Sequence, residues 1–380
     1  MSRNNESKAG VDGLIEEGEA FTRLTTPPDR KQDHQESAFK PAEATMAKRV
    51  AWVMGILSAI VVPALAGLAA YVARTWDRTY EAPLPQVRIS TDPAVLARGE
   101  YLVYGPAHCV ECHGGSLAAL EQLSDGVRVP LSGGVKLSLG PLGAVYAKNL
   151  TPDPETGIGR YSDAQIARMM RYAVRPDGRA TVEPMMPFGD MADDDLAAII
   201  SYLRVQPPVR NAVPADEWTL IGKVIKSFMG SMKPRRSISP APTAPTQAAT
   251  KERGEYLARS VNNCVGCHTP RNPNTFAATG PRFSGGFRME AMAFPDADRS
   301  IGFRTPNITP KAGSALMKFP DRETFIARFQ RGGRHYAGSP MPWEAFARMT
   351  TEDVGALYEY LHSLAPADGP AGDPTFKQAN

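Results

Sequence analysis

Two copies of Cys-x-x-Cys-His constrain this 380-residue chain more than any other feature. Cys109-Val-Glu-Cys112-His113 and Cys264-Val-Gly-Cys267-His268 use all four cysteines, and each sits inside a longer repeat. Arg98-Gly99-Glu100-Tyr101-Leu102 leads into the first and Arg253-Gly254-Glu255-Tyr256-Leu257 into the second, with the glycine 10 residues before the first cysteine both times (109 − 99 and 264 − 254). Downstream, Leu131-Ser132-Gly133-Gly134 answers Phe283-Ser284-Gly285-Gly286, and Asn149-Leu150-Thr151-Pro152 answers Asn307-Ile308-Thr309-Pro310. Each copy closes on an amphipathic helix pattern, with Leu196, Ile199, Ile200 and Leu203 on one face in the first and Val354, Leu357, Tyr358 and Leu361 in the second. A chain with such a duplication builds one unit twice.

The spacing of the cysteines decides the chemistry. On a helix, two thiols three positions apart lie one turn apart, where they can form thioethers to the two vinyl groups of a haem while the adjacent histidine ligates the iron. A closed zinc site needs four ligands, and neither copy has a second Cys/His pair at zinc-ribbon spacing. A thioredoxin-like redox pair would need a βαβ context that is not visible here. The reading is therefore two covalently bound haem c groups.

An electron-transfer haem c commonly pairs the histidine with a methionine, a combination that raises the reduction potential. Met186 and Met341 each lie 77 residues after the first cysteine of their copy (186 − 109 and 341 − 264), in Met186-Pro187-Phe188 and Met341-Pro342-Trp343. One methionine among 15 carries little weight, since most fill cores, but a shared register and a shared Met-Pro-aromatic context do. The predicted iron ligands are His113 with Met186 and His268 with Met341; Met185 is the neighbour to exclude. His335, the best alternative, has no counterpart in the first copy and reads as a loop residue. His108 is too close to Cys109 to reach the opposite haem face, His362 reads as part of a solvated helix face, and His34 falls in the N-terminal tail.

The remainder supplies the setting. A net charge of +3, from 43 basic and 40 acidic residues, gives no electrostatic case for a nucleic-acid partner. Residues 1–45 are polar and aperiodic, and are expected to be disordered. Val50 to Val72 carries no charge over 23 residues, enough to cross a hydrocarbon core of about 30 Å. Residues 46–74 are read as an uncleaved anchor, the alternative being a signal segment beginning at Met46 and cut after Ala64-Leu65-Ala66. A connector (75–92), a first haem domain (93–206), a Pro-rich basic linker (207–250), a second haem domain (251–366) and a C-terminal tail (367–380) complete the chain. Lys223, Lys226, Lys233, Arg235 and Arg236 make the linker a solvated basic tether, or less simply a patch for a partner or lipid headgroups.

With these residues in view, Asp92 to Ala365 resembles the class I cytochrome c family in its bacterial tandem form, and is similar to the cytochrome subunits of membrane-bound alcohol, aldehyde and gluconate dehydrogenases. The resemblance rests on both haem motifs, Asn-Leu/Ile-Thr-Pro, the Met-Pro-aromatic triplets, and Met191 to Leu203 with its partner Met349 to Leu361. It implies an all-α fold with two tandem haem domains behind one N-terminal transmembrane helix, and thioethers from Cys109, Cys112, Cys264 and Cys267. It also implies haem attachment in the periplasm, with the N-terminus cytoplasmic. The implied partners are a dehydrogenase or quinol-oxidising complex on one side and a downstream acceptor in a respiratory chain on the other. Those cytochromes typically carry three haem motifs, whereas this chain has two. An enzyme such as a two-haem peroxidase is the alternative to an electron carrier, and would need an open iron and acid/base residues that the sequence does not place.

Overall fold

The structure is a computed structural model that describes residues 41–181, 186–229, 232–272, 276–291, 300–336, 338–370 and 373–377. Contacts divide the chain into a unit ending at Ala64 and a compact unit from Leu65 onward that holds both copies of the repeat. Helix α1 (Pro41–Thr75) crosses that division and begins within the segment expected to be disordered; residues 1–40, including His34, lie outside the described residues. From Thr45 to Tyr71 its side chains are exposed, and Val72 is the first to be buried.

The first copy contains α2 (Pro93–Tyr104), α3 (Cys109–His113), α4 (Leu117–Ser124), α5 (Asp163–Tyr172) and α6 (Asp193–Val205). After α7 (Leu220–Phe228), the second copy contains α8 (Lys251–Tyr256), α9 (Cys264–Cys267), α10 (Arg322–Arg331), α11 (Trp343–Phe346) and α12 (Thr351–His362). Side-chain caps start most of them: Asp92 accepts from Ala94, Ser162 and Gln165 form a reciprocal capping box on α5, and Thr350 accepts from Asp353.

In each copy the helix before the haem motif crosses the closing helix, α2 on α6 and α8 on α12, and the repeated Arg-Gly-Glu-Tyr-Leu explains how. A Cβ on Gly99 would stand 2.1 Å from the Ala198 carbonyl oxygen, and one on Gly254 1.9 Å from that of Ala356, so only glycine permits these backbones to approach. The arginine one residue earlier pairs with the first turn of the closing helix: Arg98 with Asp195 and Arg253 with Asp353, both at 2.8 Å. The apolar faces identified from sequence are buried except for the half-buried Tyr358, and one continuous cluster joins Leu102, Ile199 and Leu203 of the first copy to Leu257, Val354 and Leu361 of the second.

The fold is mainly helical but not all-α. Each copy has a three-stranded antiparallel sheet: β1 (Lys136–Ser138), β2 (Gly143–Tyr146) and β3 (Glu217–Trp218), then β4 (Arg288–Glu290), β5 (Ile301–Arg304) and β6 (Thr375–Lys377). The third strand comes from the segment read as linker in one copy and from the segment read as C-terminal tail in the other. Asn-x-Thr-Pro brings these returning segments in. The Asn149 side chain accepts from the Thr151 amide and hydroxyl and donates to the Val209 carbonyl; Asn307 accepts likewise from Thr309 and donates to the Ala367 carbonyl. Short strands paired through a distant segment leave no long alternating run in the sequence, which is why the helical signal hid them.

Candidate functional site

The two Cys-x-x-Cys-His segments adopt the same local geometry. Cys109 to His113 forms one short helix; Cys264 to Cys267 forms another, with His268 at its end. The residue before each first cysteine, His108 or Asn263, has left-handed backbone, with φ of 39° and 56°. Histidine and asparagine tolerate that region better than most residues, and it turns the chain sharply into the motif. The His108 ring lies edge-on to Phe346 of the second copy, its Nδ1 against the Pro106 carbonyl.

All four thiols are free. Burial pushes Cys109, Cys112 and Cys264 up to about 12 and raises Cys267 as well, which favours the neutral thiol over the thiolate at each. Among the described residues, no three His, Cys, Asp or Glu side chains converge as a metal-ion site would require.

Each motif histidine is oriented by a second segment. His113 Nδ1 lies 2.6 Å from the Lys148 carbonyl oxygen and His268 Nδ1 2.8 Å from that of Pro306, both next to the asparagine of Asn-x-Thr-Pro. A carbonyl can only accept, so the proton resides on Nδ1 and Nε2 keeps its lone pair for a metal. Burial lowers both rings, His113 to about 4, so both are neutral in the physiological range. Ser-Gly-Gly builds the other side of this contact. Gly133 and Gly285 have φ of 74° and 77°, and a Cβ on either would stand 2.6 Å from the same Lys148 or Pro306 carbonyl oxygen. Their amides donate at 2.8 Å to the His113 and His268 carbonyls.

Met186 and Met341 are half-buried, and both pack on the core cluster that Cys109 and Cys264 also touch. Met185 lies outside the described residues. Buried arginines hold the methionine loops, from different places in the two copies. Arg171 donates to the carbonyls of Phe188, Gly189 and Met191 and pairs with Asp193 at 2.6 Å. Arg334 donates to the Ser339 carbonyl and pairs with Glu344 at 2.8 Å and with Glu111, in the first haem motif, at 2.6 Å. Arg171 and Arg334 are not each other's counterparts, and Arg179, which lies in register with Arg334 (179 − 109 and 334 − 264 are both 70), pairs with Asp77 and Asp177 instead, so comparison of the repeats could not reveal these roles. Arg235, read as part of a solvated tether, donates to the Met186 carbonyl at 3.1 Å.

His335 is exposed in a loop, as expected. His362 is half-buried against the Tyr358 ring, with centroids 4.1 Å apart, rather than on a freely solvated face. The donor set thus fits a covalent haem in each copy: two neutral thiols one turn apart and a neutral imidazole presenting Nε2.

No protein-family model matches the chain. It is similar to a nicotinate dehydrogenase subunit of Pseudomonas putida, 32% identical over 342 residues, covering 88% of this chain and 26% of that protein. It is 36% identical over 301 residues to the cytochrome c subunit of alcohol dehydrogenase (quinone) of Gluconobacter oxydans, covering 72% of this chain and 55% of that protein. A diheme c-type cytochrome of Cereibacter sphaeroides is 29% identical over 198 residues, covering 48% and 62%. The chain therefore spans only a quarter to three fifths of the length of these relatives.

Proposed function

This chain is a homologue of the cytochrome subunits of bacterial alcohol, fructose and gluconate dehydrogenases and of a diheme c-type cytochrome, and from that footing we propose that it is a membrane-anchored, periplasmic di-haem cytochrome that carries single electrons. Its donor would be a dehydrogenase or quinol-oxidising partner, and its acceptor a further redox protein. The carrying observation is the duplicated histidine environment: the same carbonyl and the same Ser-Gly-Gly contact fix the ring at His113 and at His268.

Cys109 with Cys112, and Cys264 with Cys267, would each hold a haem by adding their thiols across its vinyl groups. His113 with Met186, and His268 with Met341, would be the axial pairs. The bound groups supply one-electron redox chemistry at iron. The protein's part is to fix the histidine tautomer through Lys148 and Pro306, to exclude water with the shared core, and to hold the methionine loops with Arg171 and Arg334. Two closed irons make a carrier; an enzyme of the peroxidase kind needs one position free.

Visible spectra of the reduced, detergent-purified protein before and after carbon monoxide, with haem counted per chain, test this directly. Two haems and an unchanged spectrum are expected. A carbon monoxide complex at one haem would move the peroxidase reading ahead of the carrier.

A further inference from the structure

The helix α7 has its apolar side outward. Leu220, Ile221 and Phe228 are exposed at 76%, 57% and 55%, and Val224 is half-exposed. At 100° per residue these four positions fall within one arc of about 100°, a single continuous face. The opposite side is pressed into the protein: Gly222 is buried, and a Cβ there would stand 2.0 Å from the Leu142 carbonyl oxygen. The helix is therefore held with its apolar face pointing away from the core, and cannot roll over to bury it.

Its location identifies what covers that face. The end of α1 belongs to the same compact unit as α7, and the two touch. The Tyr71 ring stacks on Phe228 with centroids 5.1 Å apart, and the Lys223 and Lys226 ammonium groups lie 4.7 and 5.4 Å from the centre of the Trp76 ring. Lys226 also reaches the Trp218 ring at 4.8 Å and Asp77 at 3.6 Å. An apolar helical face bordered by lysine, tryptophan and tyrosine, beside the last turns of a 31-residue apolar helix, has the composition of an interfacial helix.

We propose that α7 lies in the headgroup region of the membrane that α1 crosses, with Leu220, Ile221, Val224 and Phe228 dipping into the acyl boundary. The two helices then form a two-point foot. A single span leaves the rest of the chain free to swivel; a second contact fixes the face that the haem-bearing copies present to redox partners. This rests on reading α1 as a membrane anchor.

Nitroxide labels on Leu220→Cys, Ile221→Cys and Phe228→Cys, in the full-length holoprotein in nanodiscs of phosphatidylethanolamine and phosphatidylglycerol, provide the test. Val61→Cys reports on the anchor, and Val127→Cys, at an exposed position of the first copy, serves as the reference for a water-facing site. Power-saturation accessibility to oxygen and to a water-soluble nickel chelate is read at each site, with haem content confirming that each variant folds. All three α7 sites are expected to be oxygen-rich and nickel-poor, with a ratio several-fold above that at Val127. Nickel access like that at Val127, with Val61 still in lipid, would overturn the foot and leave the anchor standing. Nickel access at Val61 would overturn the anchor itself. Poor access to both reagents at α7 would mean that protein covers the face, from a partner or a second copy, and would overturn the proposal equally.

Discussion

The Tyr101 hydroxyl donates a 2.6 Å hydrogen bond to Asp353, a residue 252 positions away in the other copy of the repeat. Tyr256 returns the contact to Asp195 at 2.7 Å. Each tyrosine oxygen also accepts from a backbone amide at the start of the opposite closing helix, Thr350 for Tyr101 and Ala192 for Tyr256. Asp353 and Asp195 are the carboxylates already held by Arg253 and Arg98. The same two side chains that close each copy on itself therefore also tie it to its neighbour.

Tyr101→Phe and Tyr256→Phe should each lower stability by roughly 1.5–3 kcal/mol, the range for a hydrogen bond to a charged group. Denaturant unfolding of the holoprotein measures it. An effect confined to one of the two would show that the reciprocal bonds are not equivalent in solution.

The two arginine pairs should differ in cost. Arg253 and Asp353 are both buried, whereas Arg98 keeps 23% of its side chain exposed. Removing one partner of a fully buried pair strands a charge at about 3–5 kcal/mol, while water partly compensates a more open one. Arg253→Met should therefore destabilise more than Arg98→Met. The reverse order would mean that burial does not govern these pairs.

Met186→His or Met341→His should lower the reduction potential of its own haem and leave the other unchanged, because a second histidine replaces the thioether that raises the potential. A redox titration of each variant decides. If neither potential moves, the axial methionines are misassigned.

Acid sensitivity should involve Asp216. Burial opposes its ionisation, but the Lys148 ammonium at 2.9 Å and the Arg175 guanidinium at 2.8 Å more than offset that and hold its pKa below the ordinary 3.8. A depressed carboxylate contributes stability that is present above its unfolded pKa and is lost as the pH falls through the folded value. Asp216→Asn should cost about 1–3 kcal/mol at neutral pH and flatten the decline in stability below about pH 4. An unchanged acid limb in pH-dependent unfolding would remove Asp216 from the explanation.

The cysteines, their histidines, the methionine candidates and the duplication were legible in the sequence, because covalent attachment demands fixed local spacing and a repeat doubles every signal. The amphipathic faces of α6 and α12 were legible for the same local reason: helical period is written in consecutive residues. Arg-Gly-Glu-Tyr-Leu was visible as a motif, but its meaning was not. Its arginine, glycine and tyrosine act on residues about 60 to 250 positions away. The third strands, the contacts of Arg171 and Arg334, and the outward orientation of the apolar face of α7 could not be read from repeat or period, because each depends on what a distant segment packs against. Composition showed only a basic linker where the fold places Arg235 on the Met186 loop. Spacing along the chain was enough to bring out the duplicated Cys-x-x-Cys-His motif and the haem chemistry proposed for it, since a cysteine pair and its neighbouring histidine are local features. How the two copies lock together, and which face of α7 stays open, emerged only from the folded arrangement, since both depend on which distant backbone or charge each side chain meets.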